Sequence, residues 1–410
     1  MKHKKLVIAI TGLIGVGMLN TPVARAGITI TVDSTSDESQ TGLITLREAI
    51  AFTNGFKDVE INFEPDVFRE PQTITLQQGE LHISSSVTIN GPSKDLLTID
   101  GDDSSRIFRI DNETDNLIGV EISGLTMTNG NGSSPADTRS GGCVLAFGDL
   151  TLNDSVVTAC ESTGSGGGVF LRFGFLTLNN STIADNQAGN SGGGVYLRSA
   201  FADILNSTIS GNTTDTNGGG VYIERFSKAR IINSTISQNK VLLTQGGDIQ
   251  SGGIGIKSES ASLTAKNITV IDNLGSGITS KEKSRINISN SVIAGNTTTD
   301  CDFALIKSDS QNLNNLDTDG SCDVLATNHL TVGDPLLGPL ADNGGLTKTH
   351  LPQAGSPLVD SGDDVLCEDL DQRGGVRPAD GDTDGTTVCD IGAVELGGVI
   401  GLIFMDGFDN

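Results

Sequence analysis

Apolar and polar positions alternate over short runs between residues 141 and 296, and the runs repeat. Gly166-Gly167-Gly168-Val169-Phe170-Leu171-Arg172 returns as Gly192-Gly193-Gly194-Val195-Tyr196-Leu197-Arg198 and again as Gly218-Gly219-Gly220-Val221-Tyr222-Ile223-Glu224. Each copy leads into Asn-Ser-Thr-Ile-x-x-Asn, at 180–186, 206–212 and 233–239. Looser copies stand at Gly141-Gly142-Cys143-Val144, Gly252-Gly253-Ile254 and Gly275-Ser276-Gly277-Ile278. Val169, Val195 and Val221 are 26 residues apart, and Ile183, Ile209 and Ile236 are 26 and 27 apart. Within a run, apolar Val195 and Leu197 bracket Tyr196, and Leu176 and Leu178 bracket Thr177. A two-residue alternation bounded by Gly, Asn, Asp and Ser predicts strands joined by tight turns.

Several short strands in a fixed period of about 26, with no helical periodicity, predict a solenoid of stacked coils. The fold class expected is an all-β, right-handed parallel β-helix. The Leu-x-x-Leu-x-Leu frame of a leucine-rich repeat is absent. Coils stack about 4.8 Å apart, so equivalent residues should form columns. Val169/Val195/Val221 and Ile183/Ile209/Ile236 should stack inward. Asn180/Asn206/Asn233/Asn267/Asn290 and Asn186/Asn212/Asn239/Asn273/Asn296 should form two amide ladders at turns.

In chain order, residues 1–26 read as a secretory signal peptide. They hold a basic start (Lys2, Lys4, Lys5), an apolar stretch at 6–19 and Ala24-Arg25-Ala26 as the cleavage motif. Residues 27–72 read as an N-terminal cap, with a short helix over 45–53 opened by a Thr45/Glu48 capping box. Residues 73–300 are the β-helix, with a longer loop at 242–250. Residues 301–395, rich in Asp, Gly and Pro, read as a disulfide-pinned C-terminal cap, and 396–410 as a tail.

Charge and cysteine usage set the compartment. The net charge of −25 becomes −29 once the four basic residues of 1–26 are set aside. Such an acidic chain is a poor partner for nucleic acid or an anionic membrane. No later run is long enough for a spanning helix, so the mature chain should carry no transmembrane segment. Export to the extracellular space or the outer cell surface, as a monomer, is the expectation. Six cysteines in an exported chain predict oxidation. Cys301/Cys322 and Cys367/Cys389 are local pairs, while Cys143 and Cys160 stand where later coils have the third Gly and a ladder Asn.

Ile44-Thr45-Leu46-Arg47-Glu48-Ala49 resembles the opening motif of bacterial CSLREA-domain proteins, with Ile44 where that motif has Cys. The stretch from Asp334 to Leu340, Asn343-Gly344-Gly345, Asp371-Gln372-Arg373-Gly374 and the run from Cys389 to Glu395 resemble the C-terminal region of choice-of-anchor Q proteins. The Gly-Gly-Gly-Val-Tyr and Ile-x-x-Asn repeats are similar to those of polymorphic outer-membrane proteins, which are adhesins. These resemblances imply an exported right-handed β-helix and no settled activity.

Two places could carry chemistry. With Val169, Val195 and Val221 inward, Phe170/Tyr196/Tyr222 and Arg172/Arg198/Glu224 should point out, one coil apart. Rings beside guanidiniums suit sugar rings and carboxylates; cross-strand stacking that only stabilises the sheet is the plainer reading. Asp380-Gly381-Asp382-Thr383-Asp384-Gly385 spaces carboxylates as a Ca²⁺ loop does, though Ile391 stands where such a loop has its twelfth-position Glu. His82, His329 and His350 fall in no catalytic pattern, Asp185 and Asp272 sit three coils apart, and no Cys or His pair has zinc spacing. The expected function is glycan or cell-surface binding, adhesin-like; the rival is a polysaccharide lyase on the same scaffold.

Overall fold

The computed structural model describes residues 27–401 except 57, 113–116, 134–139, 243–249, 304–305 and 325. The signal-peptide segment, most of the 242–250 loop and the end of the tail therefore lie outside the described residues. The chain forms a right-handed parallel β-helix in which every strand pairing is parallel. Each full coil runs through sheet C (for example Val169–Arg172), sheet A (Phe175–Asn179), sheet B (Thr182–Ala184) and a two-residue strand of sheet D (Gln187–Ala188). Among the described residues sheets A, B, C and D hold twelve, eleven, nine and four strands. Twelve strands at one spacing each make a stack of about 50 Å.

The ladders are in the expected register. Val169 pairs with Val195 and Val195 with Val221, while Ile183 pairs with Ile209 and Ile209 with Ile236. All six are fully buried, each contributing about 1.5–3 kcal/mol of apolar burial. Asn186, Asn212, Asn239, Asn273 and Asn296 form a continuous amide ladder, each Nδ2 donating to the next Oδ1 at 2.8–3.0 Å. Asp300 ends it by accepting from Asn296.

The other asparagine column behaves differently. Asn180, Asn206, Asn233, Asn267 and Asn290 all adopt positive φ, between 46° and 51°. They make the left-handed corner from sheet A to sheet B, and no amide-to-amide bond joins them. The polar ladder beside them is made by serine instead: the Ser155, Ser181 and Ser207 amides donate to the hydroxyls of Ser181, Ser207 and Ser234.

The same columns explain the first disulfide. A Cβ on Gly168 would meet the Asn186 side chain at 3.1 Å, and Gly194 and Gly220 stand equally close to Asn212 and Asn239. One coil earlier those two positions are Cys143 and Cys160, which are bonded with Cα atoms 5.5 Å apart. Cys301–Cys322 and Cys367–Cys389 are the other two bonds.

Strands extend beyond residues 73–300 at both ends. Ile28–Val32 and Val59–Phe63 alternate inward and outward and start sheet A, while Leu330–Thr331 ends sheet B. Helix α1, Leu46–Thr53, lies between the first two strands and buries Leu46, Ala49 and Ile50; Thr45 caps it with the Glu48 capping box. The segment from about 334 to 400 belongs to the disulfide-bonded C-terminal region. It runs as a strap along the outside of sheet B. Leu358 and Ile391 pack on Ile271, Val292, Ala294 and Leu316, and Gln372 reaches Thr208, Thr235 and Thr347.

Candidate functional site

The site is built on three coils. In sheet C, Phe170, Tyr196 and Tyr222 stand in register on the outer side of the strands. Their rings stack on one another at 4.9 and 5.6 Å between centroids. They close a small cluster with Leu145 and are only 3, 6 and 3 % exposed. The first glycine of each Gly-Gly-Gly is the reason the cover is so close. Gly166, Gly192 and Gly218 have φ of 65–71°, and a Cβ on any of them would lie 2.8–2.9 Å from the ring residue's own Cβ. Tyr196 donates to the Glu224 carboxylate. Burial first, and that bond second, raise the phenol's pKa. The three rings thus face away from the solenoid interior, as expected, yet their faces are taken up by each other.

Exposed aromatic surface appears one step further along the chain, at the corner where sheet C turns into sheet A. Phe173, Phe175, Phe201 and Phe226 are 44, 38, 45 and 70 % exposed. Phe175 and Phe201 are paired across the ladder with centroids 6.4 Å apart. Cations interleave with the rings: Arg172 sits 4.8 Å over Phe173 and Lys228 5.9 Å over Phe201. Arg198 lies 3.9 Å from Glu224, and Arg230 is held bidentately by Asp203. No carboxylate of the described residues forms an ion pair with Arg172, Arg225 or Lys228. Of the expected contact residues, then, the corner brings Arg172 and Arg198 to the surface and leaves the ring stack beneath. Phe173, Phe175, Phe201 and Phe226 were missed by sequence reasoning, although Arg172-Phe173, Arg198-Ser199 and Glu224-Arg225 recur at the 26-residue period.

The acidic loop also changes membership. Oxygens of Asp360, Asp380 and Asp382 lie within 4.8 Å of one another. Asp384 stands outside that trio and accepts from the Thr386 amide. Asp360 Oδ1 and Asp380 Oδ1 are buried and accept no hydrogen bond, which fits a hard cation in their midst. The histidines are dispersed. His82 bonds Asp111 on sheet C. His350 is buried between Ser237 and the Gly338 carbonyl, and burial lowers its pKa. His329 lies 3.2 Å from Asp317. A groove of about 630 Å³ opens between sheet B and strap residues 340–348, with Lys94, Asp185, Asp342 and Lys348 on its walls and no aromatic ring.

A family model described as a right handed beta helix region matches residues 167–322. No curated protein matches this chain. Among solved structures, that of the pectate lyase Pel9A is similar, with a TM-score of 0.55 and 14 % identity over 90 % of this chain and 96 % of that one. At that identity the likeness shows the fold alone. No helix among the described residues is long and apolar enough to cross a membrane.

Proposed function

We propose that this is an exported β-helix protein that binds glycans at the corner between sheets C and A. The observation that carries the reading is the row of exposed phenyl rings at Phe173, Phe175, Phe201 and Phe226. Large rings gathered in water at one corner mark a place where apolar surface is to be covered, and the C–H face of a sugar suits such rings. The resemblance of the repeats to adhesins points the same way. Immobilised-glycan binding tests it. Phe175→Ala with Phe201→Ala should weaken binding about tenfold, close to 1.4 kcal/mol of lost burial. Binding unchanged in that variant removes the corner from consideration. Release of unsaturated sugar product from a uronate polymer, lost in Arg198→Ala, would replace binding by lyase chemistry.

The Asp360, Asp380 and Asp382 cluster is assigned, in the same reading, to Ca²⁺. Adding Ca²⁺ should raise the melting temperature, and Asp382→Ala should abolish the gain. A wild-type melting temperature indifferent to Ca²⁺ removes the site.

A further inference from the structure

Resting on the glycan-binding reading, we infer that the ligand of this corner is an acidic polysaccharide, recognised through its anionic groups as well as its sugar faces. The whole chain is strongly acidic, with 51 acidic against 26 basic residues, yet this edge reverses the sign. Within three successive coils it gathers Arg172, Arg198, Arg225, Lys228 and Arg230 against Glu224 and Asp203, with Asp149 one coil earlier. Glu224 is engaged by Tyr196 and Arg198, and Asp203 by Arg230. Arg172, Arg225 and Lys228 are left with charge to offer. In a chain this acidic, carboxylates are the commonest neighbours a cation could have found, so three uncompensated cations beside exposed rings are not explained by folding.

The backbone adds an independent sign. Phe173, Ser199 and Arg225 form a column at the corner, all with positive φ, of 60°, 53° and 61°. A left-handed backbone disfavours residues with large side chains. At the corner from sheet A to sheet B this chain uses Asn in seven coils, and at the left-handed turn leaving sheet B it uses Asn, Asp or Gly in five of seven, with Ala159 and Gln238 the others. Phe173 and Arg225 hold the strained position without serving the turn, and strain of that kind gathers at sites of function. Cations set over phenyl rings on successive coils, Arg172 over Phe173 and Lys228 over Phe201, with Arg225 two coils from Arg172, match a polymer that repeats an anionic group along an apolar sugar backbone. Arg172 and Arg225 would meet the anions through paired N–H donors.

The test compares polygalacturonate with its fully methyl-esterified form, and dextran sulfate with dextran. Binding to the acidic member of a pair is expected to exceed the neutral member at least tenfold and to weaken as salt rises. Preference within the first pair alone assigns carboxylate, and within both pairs assigns anions generally. Arg172→Gln with Arg225→Gln should erase the preference while leaving far-ultraviolet circular dichroism and melting unchanged. Neutral and acidic polymers bound alike, with binding lost in Phe175→Ala/Phe201→Ala, overturn the charge inference and keep the glycan reading. Preference untouched by the double arginine variant also overturns it. No binding to any of the four overturns the glycan reading itself.

Discussion

Arg225 illustrates how a single residue can be wrong for its turn and right for its surface. Its φ of 61° is tolerated by Asn or Gly far better than by a long side chain. It is exposed, and no ion pair among the described residues offsets the strain. Arg225→Asn should therefore raise stability by about 1 kcal/mol, read as a higher denaturation midpoint, while weakening binding of acidic polymer. A lower midpoint would mean that Arg225 holds the corner together. The column to which it belongs was legible in the repeat, since 173, 199 and 225 follow the 26-residue period. What alternation could not supply is where a corner residue's side chain goes. Period two assigns inside or outside along a strand and says nothing at a left-handed turn, so Phe173 and Phe226 went unread. The same rule placed Phe170, Tyr196 and Tyr222 outside correctly but could not tell that the glycine turns would bury them.

Between elements, the two asparagine columns separate roles that look identical in sequence. Asn212 accepts from the amide and side chain of Asn186 and donates to the Ile183 carbonyl and to Asn239, with no exposure. Asn212→Ala leaves several buried groups without partners, at a cost on the order of 2–5 kcal/mol. Asn206 supplies a left-handed corner, and its side chain takes no part in an amide ladder. Asn206→Gly keeps that φ and should change stability by less than about 0.5 kcal/mol. Chemical denaturation of both variants checks the contrast, and equal losses would erase the distinction. Sequence spacing identified both columns, because stacking makes period and contact the same thing. It could not rank them, since the difference lies in backbone angle.

At the scale of the molecule, the strap couples coils that a solenoid would otherwise link only to their neighbours. It touches the chain from Lys94 to Asn314, contacts of long sequence separation that no local pattern announces. Its underside buries an odd charge. Arg377 and Glu395 are fully buried 3.5 Å apart, Arg373 is paired with Asp371, and Asp390 and Glu395 share the remaining cation. One carboxylate is in excess. Burial, partly offset for Asp390 by backbone amides, raises Asp390 to about 6, and burial together with the Asp390 charge raises Glu395 to about 7. An acid whose folded pKa lies above its unfolded value binds more protons when folded, so stability falls as pH climbs through the interval between them. Here that interval runs from about 4 to about 7. His350, on the same strap, titrates in the opposite sense, because burial lowers its pKa and its stabilising effect grows as pH rises toward its unfolded value. Two displaced carboxylates outweigh one imidazole, and His350→Gln removes the opposition. Hydrogen exchange at the Asp390 and Leu396 amides, which donate to the two carboxylates, reports the strap locally. Corrected for the intrinsic dependence of exchange on pH, their protection should be greater at pH 5 than at pH 7.5, and the difference should widen in His350→Gln. Protection that increases with pH in that variant would mean the two carboxylates are ionised in the folded strap throughout, with Arg377 sufficient for both.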